Sequence, residues 1–236
     1  FIEEFIPATL GLLDQGYTLL FFEGDGQGKT LKYGLPLTYA WEEPTKCVLD
    51  YYQINHCPMI GISWGGYFVM RAAAFEKRIS AVVAYDVADD GLEIMTNVFP
   101  PILRRLIRWV FAHKQEKLVN HLVRFAIHKS VLADWALSQG QYITHTKSPY
   151  RFYQEVQKHT LRGVCDRITQ DCLLLAGEKD HYIPIDQFER LQSSLPNARS
   201  VKKCVFTQAE GGEQHCQIGN HQLALNEITQ WLEGLE

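Results

Sequence analysis

Apolar and polar residues follow two periods along this chain. Short continuous apolar runs at Tyr17 to Phe22, Cys57 to Ile62, Ile79 to Tyr85, Cys172 to Ala176 and Val201 to Phe206 predict buried strands. Stretches of helical character lie around them, at Phe1 to Leu13, Thr38 to Tyr52, Trp64 to Glu76 and about Cys216 to Leu232. Toward the C-terminus, Leu225, Ile228, Leu232 and Leu235 are spaced 3, 4 and 3 apart, which is one face of a helix. Asp14-Gln15-Gly16 stops the first helix. Strands alternating with helices predict an α/β fold with a mostly parallel sheet covered on both faces.

The segment from Gly91 to His159 breaks this rhythm. It is long, helix-like and free of strand patterns. Pro100-Pro101 opens a basic amphipathic stretch, Ile102 to Phe111. Three parts are therefore expected. Residues 1–90 form the first part of a core, 91–160 a helical cap insertion, and 161–236 the second part of the core. An insertion between strands of an open sheet would lie over the strand ends, where α/β proteins place their sites. Between Ile94 and Ala133, Arg104, Arg105, Arg108, Lys114, Lys117, Arg124 and Lys129 face one acid, Glu116. Such charge would attract an anionic substrate or an acidic surface; the plainer reading is a solvated helix face.

Composition narrows the class. The 236 residues fit one larger α/β domain, and 46% hydrophobic content builds a core easily. The net charge of −4 makes no general case for nucleic acid. No apolar run reaches the roughly 18–20 residues of a membrane span. The six cysteines form no C-x-x-C pair and read as reduced thiols of a cytoplasmic protein. Cys216 adjoins His215, but nothing else supports a metal or nucleophile pair there. His113, His121 and His128 lack ligand spacing on one helix turn, so no metal and no cofactor is expected. The chain opens without Met, and Glu3 and Glu4 are unlike a secretory signal; a longer parent chain is expected.

The candidate chemistry centres on Gly61-Ile62-Ser63-Trp64-Gly65, between a strand and a helix. In that setting G-x-S-x-G is a nucleophile elbow. The turn would strain Ser63 and expose its hydroxyl, and the Trp64 N–H would serve a developing oxyanion. A serine needs a base and the base an orienting carboxylate, in the chain order Ser, acid, His. His215 follows a late strand in a Gly-rich loop and is the expected base. His221 lies in the last helix and His181 on the acid's loop. Asp180, after Leu173-Leu174-Leu175-Ala176-Gly177-Glu178-Lys179, is the expected acid, with Asp86 as alternative and Glu178 as a weaker one. Gly24-Asp25-Gly26-Gln27-Gly28-Lys29-Thr30 imitates a P-loop. Its required first glycine is replaced by Glu23, and Gly34 and Pro36 argue against a helix from Lys29.

These residues resemble the α/β-hydrolase superfamily. The narrower resemblance is to the group holding fermentation-respiration-switch-type esterases, acylaminoacyl-peptidase-like proteins, and the carbon–carbon hydrolases of fungal pigment and nicotine-breakdown pathways. It is carried by Glu23-Gly24-Asp25-Gly26-Gln27-Gly28, Gly61-Ile62-Ser63-Trp64-Gly65-Gly66-Tyr67 and Glu213-Gln214-His215-Cys216-Gln217. Asp25 departs from the first motif, which more often has Pro. The resemblance makes Glu23, Asp25, Gly26, Gln27 and Tyr67 candidates to line the site. It also implies that the first three strands, the second oxyanion donor and an N-terminal helical region precede this chain. The implied activity is serine hydrolysis of an ester or amide, with carbon–carbon hydrolysis of a β-diketone or polyketide-type substrate as the alternative. The expected partner is a small acyl or ketone substrate; a homodimer is an arrangement left open.

Overall fold

The computed structural model describes residues 2–127 and 130–235. Phe1, His128, Lys129 and Glu236 lie outside the described residues, and with them one of the cap histidines and one of the seven cap cations named above. The chain divides into two compact units. The first holds the described residues up to Gly24, Ala40–Asp89, and those from Leu161 onward. The second holds Asp25–Tyr39 and the described part of Asp90–Thr160.

In the first unit, helices α1 (Ile2–Thr9) and α2 (Gly11–Asp14) precede the sheet, while α3 (Gly28–Lys32) belongs to the second unit. Helix α4 (Glu42–Tyr51) then leads to β1 (Cys57–Ile62), α5 (Gly65–Ala73) and β2 (Ile79–Tyr85). The second unit contributes α6 (Gly91–Asn97), α7 (Pro101–Ala112), α8 (Glu116–Ile127), α9 (Val131–Ile143) and α10 (Pro149–Val156). The chain returns with β3 (Asp171–Gly177), α11 (Ile185–Ser193), β4 (Ser200–Phe206) and α12 (His221–Glu233).

The four strands are parallel and lie in chain order, β1-β2-β3-β4. Every residue of β3 is buried, as an inner parallel strand requires. One sheet face carries Ala81, Val83, Tyr85, Leu173 and Leu175, packed with Leu12, Leu225, Ile228, Trp231 and Leu232 from α2 and α12. The intervening Val82, Ala84, Cys172 and Leu174 are fully buried and point to the opposite face. There α5 and α11 contact the sheet.

Register matters most for function. Ile62 pairs with Tyr85, and Tyr85 with Leu175. Ser63 and Asp86 therefore leave adjacent strands at the same level. Helix α5 turns back tightly here. A Cβ built on Gly61 would lie 1.9 Å from the Gly65 carbonyl oxygen, and one on Gly66 would lie 1.9 Å from that of Asp86. Gly65 has open space at the same point. So the crowded glycines of the elbow are the first and the one after the motif.

Several expectations are corrected. Tyr17 to Phe22 forms no strand, and the sheet has four strands among the described residues. Tyr17 and Leu19 pack on the core while Thr18, Leu20 and Phe21 are exposed, so the alternation of a strand breaks at Phe21. Helix α4 begins at Glu42 rather than Thr38, with Pro44 in its first turn, where a missing N–H costs little. Helix α12 begins at His221 rather than Cys216, because Cys216 and Gln217 adopt left-handed φ values of 51° and 48°. A five-residue helix, α3, does form around Lys29, although Gly34 and Pro36 argue against one in the sequence. It ends before Gly34, and the strand a P-loop needs ahead of it is absent from the described residues.

The glycine contacts make a stability prediction. Gly66→Ala should cost about 3 kcal/mol or more, because backbone must move to admit the methyl. Gly65→Ala should change stability by about 1 kcal/mol or less. Urea midpoints of the two variants check the contrast.

Candidate active site

Ser63 occupies the turn between β1 and α5 with φ 61°, a left-handed conformation that L-residues avoid. Its N–H donates to the Tyr85 carbonyl at 2.7 Å, and its own carbonyl accepts from the Gly66 N–H at 2.9 Å. The strained residue is thus held by its neighbours on both sides. Trp64 begins the helical turn with φ −58°.

His215 comes from the loop after β4. Its Nε2 lies 2.8 Å from Ser63 Oγ. Its Nδ1 lies 2.6 Å from Asp180 Oδ2. Asp180 is itself fixed, since its Oδ1 accepts from the Tyr182 and Ile183 N–H groups at 2.7 and 2.9 Å. The loop after β3 is tied to the histidine loop by the Lys179 N–H, which donates to the Glu213 carbonyl at 2.8 Å. Gly177 makes that contact possible: a Cβ there would lie 2.4 Å from the Glu213 oxygen. The ring of Tyr182 meets the His215 imidazole edge-on, with centroids 5.0 Å apart.

Asp86 is not excluded by this arrangement. Its Oδ2 lies 3.1 Å from the same His215 Nδ1, and its side chain is 1% exposed. It accepts the Cys216 N–H at 2.5 Å and the Gln217 side-chain amide at 3.2 Å. The structure therefore brings together both acids that the sequence offers as alternatives. That both reach one nitrogen is not visible in the sequence, although Asp86 also ends a strand beside Ser63. Glu178 turns elsewhere and accepts the Gln208 N–H at 2.9 Å.

Burial, the largest single influence, lowers the affinity of His215 for a proton. Hydrogen bonds to Asp180 and Asp86 outweigh it, so the imidazole is held well above its ordinary range. Burial pushes the Cys216 thiol up to about 11, so sulfur beside the imidazole stays protonated at neutral pH. Asp86, His215 and Cys216 bring ligand-type atoms within 4.8 Å of one another. The hydrogen bonds above already use Asp86 and His215.

Tyr67 is buried in α5. Glu23 accepts the Ile2 N–H at 3.2 Å. Asp25, Gly26 and Gln27 belong to the second unit, where Gly26 donates to the Leu35 carbonyl and Gln27 precedes α3. His181 lies with its ring centroid 6.3 Å from that of His215. His221 is the first residue of α12. All six cysteines are free. No helix among the described residues is long and apolar enough to cross a membrane.

Comparison with known proteins identifies the family of this chain. The sequence profile of the alpha/beta hydrolase fold family matches residues 38–215, and the chain belongs to that family. Hydrolyase ccsE of Aspergillus clavatus is 27% identical, over 93% of this chain and 55% of its own length. The 20-hydroxy-prefusarin hydrolase FUS2 of Gibberella moniliformis is 25% identical, over 98% of this chain and 58% of its own. The chain spans about half the length of these curated relatives. Among solved structures, 2,6-dihydroxy-pseudo-oxynicotine hydrolase superposes with a TM-score of 0.69 at 19% identity, covering 98% of this chain and 56% of that one. That likeness concerns the fold.

Two measurements follow from the site. Ser63→Gly should be more stable than Ser63→Ala by about 1 kcal/mol, because alanine keeps the Cβ that a left-handed φ penalises. Chemical denaturation of the two variants compares them directly. His215 has a raised native proton affinity, so its contribution to stability is full below an ordinary imidazole pKa of about 6.5 and fades as pH rises through the native value. The stability gap between the parent chain and His215→Gln should therefore be widest near pH 6 and narrow toward alkaline pH.

Proposed function

We propose that this member of the alpha/beta hydrolase family is a serine hydrolase that cleaves an ester or amide through an acyl-enzyme. The observation that carries the reading is the unbroken hydrogen-bonded line from Ser63 Oγ through His215 to Asp180. In its neutral form His215 directs Nδ1–H at carboxylate and keeps the Nε2 lone pair for the serine proton; the raised proton affinity sets the pH above which that form is populated. Ser63 Oγ attacks the substrate carbonyl as its proton passes to Nε2. The imidazolium then gives that proton to the leaving group. Water repeats the sequence in reverse roles, losing a proton to Nε2 and releasing the acid and free Ser63.

The Trp64 N–H is the proposed oxyanion donor within this chain, by its place directly after the nucleophile. One such donor is typically worth about 10²–10³ in kcat. The names of the fungal relatives support hydrolysis in general. The preference for an ester or amide rests on the acyl-transfer chemistry that a serine, a histidine and an acid perform.

A fluorophosphonate probe should label the protein, and Ser63→Ala should abolish the label. Labelling that survives the substitution would overturn the nucleophile assignment. Short p-nitrophenyl esters should be turned over faster than an aryl β-diketone; the reverse order would make the enzyme a carbon–carbon hydrolase instead.

A further inference from the structure

Resting on the serine-hydrolase reading, we propose that Asp86 is a second positioning carboxylate that acts together with Asp180 on His215, rather than a substitute for it. Three observations carry this. The first is distance: Oδ2 of each acid is within hydrogen-bond reach of His215 Nδ1, at 2.6 Å for Asp180 and 3.1 Å for Asp86.

The second is how Asp86 is held. It leaves β2 at φ 49°, one strand over from Ser63 and at the same sheet level. Its backbone carbonyl is the atom that crowds Gly66 at the start of α5. The nucleophile's helix and the second carboxylate thus share one rigid joint. The third is what Asp86 holds. It accepts the Cys216 N–H and the Gln217 amide, clamping the left-handed pair that follows His215. Tyr85, the residue before Asp86, donates its hydroxyl to the Cys216 carbonyl at 3.2 Å. Asp180 orients the ring from the loop after β3, while Asp86 orients the ring and also fixes the backbone that carries it.

Other groups around the imidazole are Ser63 from the elbow, His181 and Tyr182 from the loop after β3, and the Cys216 thiol. Asp86 and Asp180 are the carboxylates in hydrogen-bond reach of Nδ1 among the described residues. Removing either acid alone should leave the other to hold the Nδ1 proton. In serine hydrolases with one orienting acid, its conversion to the amide costs about 10⁴-fold in kcat. Here Asp180→Asn should cost only about 10–100-fold, and the double variant Asp180→Asn/Asp86→Asn the full 10⁴-fold or so. Asp86→Asn should also move the acid limb of the kcat/KM profile to lower pH, because one proton-stabilising charge is gone.

The test is an NMR titration of His215 beside those rates. With Asp86 intact, Asp180→Asn should keep the imidazole above its ordinary pKa of about 6.5; the double variant should let it fall below, since burial then dominates. A drop below 6.5 in Asp180→Asn alone, with a rate loss of about 10⁴-fold, would overturn the proposal. So would an unmoved acid limb in Asp86→Asn. Should Asp86→Asn not fold, Asp180→Asn by itself decides the matter. The titration needs no turnover, so it separates failure of the Asp86 role from failure of the serine-hydrolase reading, which surviving label in Ser63→Ala would reveal.

Discussion

The hydrogen-bonded imidazole of His215 is the joint on which the site depends. It links the elbow after β1, the turn after β2 and the loop after β3, each from a different strand. None of these loops could present its side chain to the ring unless the strands beneath ran parallel and in register. The apolar pairing of Val83 with Leu173 and of Tyr85 with Leu175 is therefore as much a part of the site as the polar atoms above it. Burial raises the stakes, because a displaced carboxylate in this interior would have no water to replace its partner.

Strain and crowding gather at the same place. Ser63, Asp86, Cys216 and Gln217 all hold positive φ without being glycine. Each conformation costs on the order of 1–3 kcal/mol and persists where surrounding contacts over-determine it. Here the contacts are mutual. Ser63 donates to the backbone of Tyr85, Asp86 accepts from Cys216, and Tyr85 donates to Cys216. The strained residues support one another, so a fault at one would loosen all of them.

Much of this was legible in the sequence, for identifiable reasons. Ile79 to Tyr85 matches β2 end for end because a buried parallel strand is continuously apolar and stops at its first charge. The hydrogen-bonded meeting of Ser63, His215 and Asp180 was legible because each follows a strand in the expected chain order. The Tyr17 to Phe22 run was misread because apolar content signals burial, whereas a strand also needs a neighbour offering ladder hydrogen bonds. The onset of α12 was misread because nothing in Cys216 or Gln217 announces a left-handed backbone; that conformation comes from the tertiary clamp of Asp86. The joint use of two acids was hidden likewise, since spacing along the chain carries no distance between two loops.

The order of strands has a consequence for how the protein comes to exist. Because β1, β2, β3 and β4 lie side by side in the order in which they are translated, each can join the sheet as the ribosome delivers it. His215 follows β4 and is the last of the hydrogen-bonded side chains Ser63, Asp86, Asp180 and His215 to be translated. A nascent chain that has folded its elbow but not yet β4 lacks the hydrogen bond between Ser63 and His215. Under the proposed function, activation of Ser63 would wait for β4 and the loop after it, so a partly translated chain would hold its nucleophile without its base.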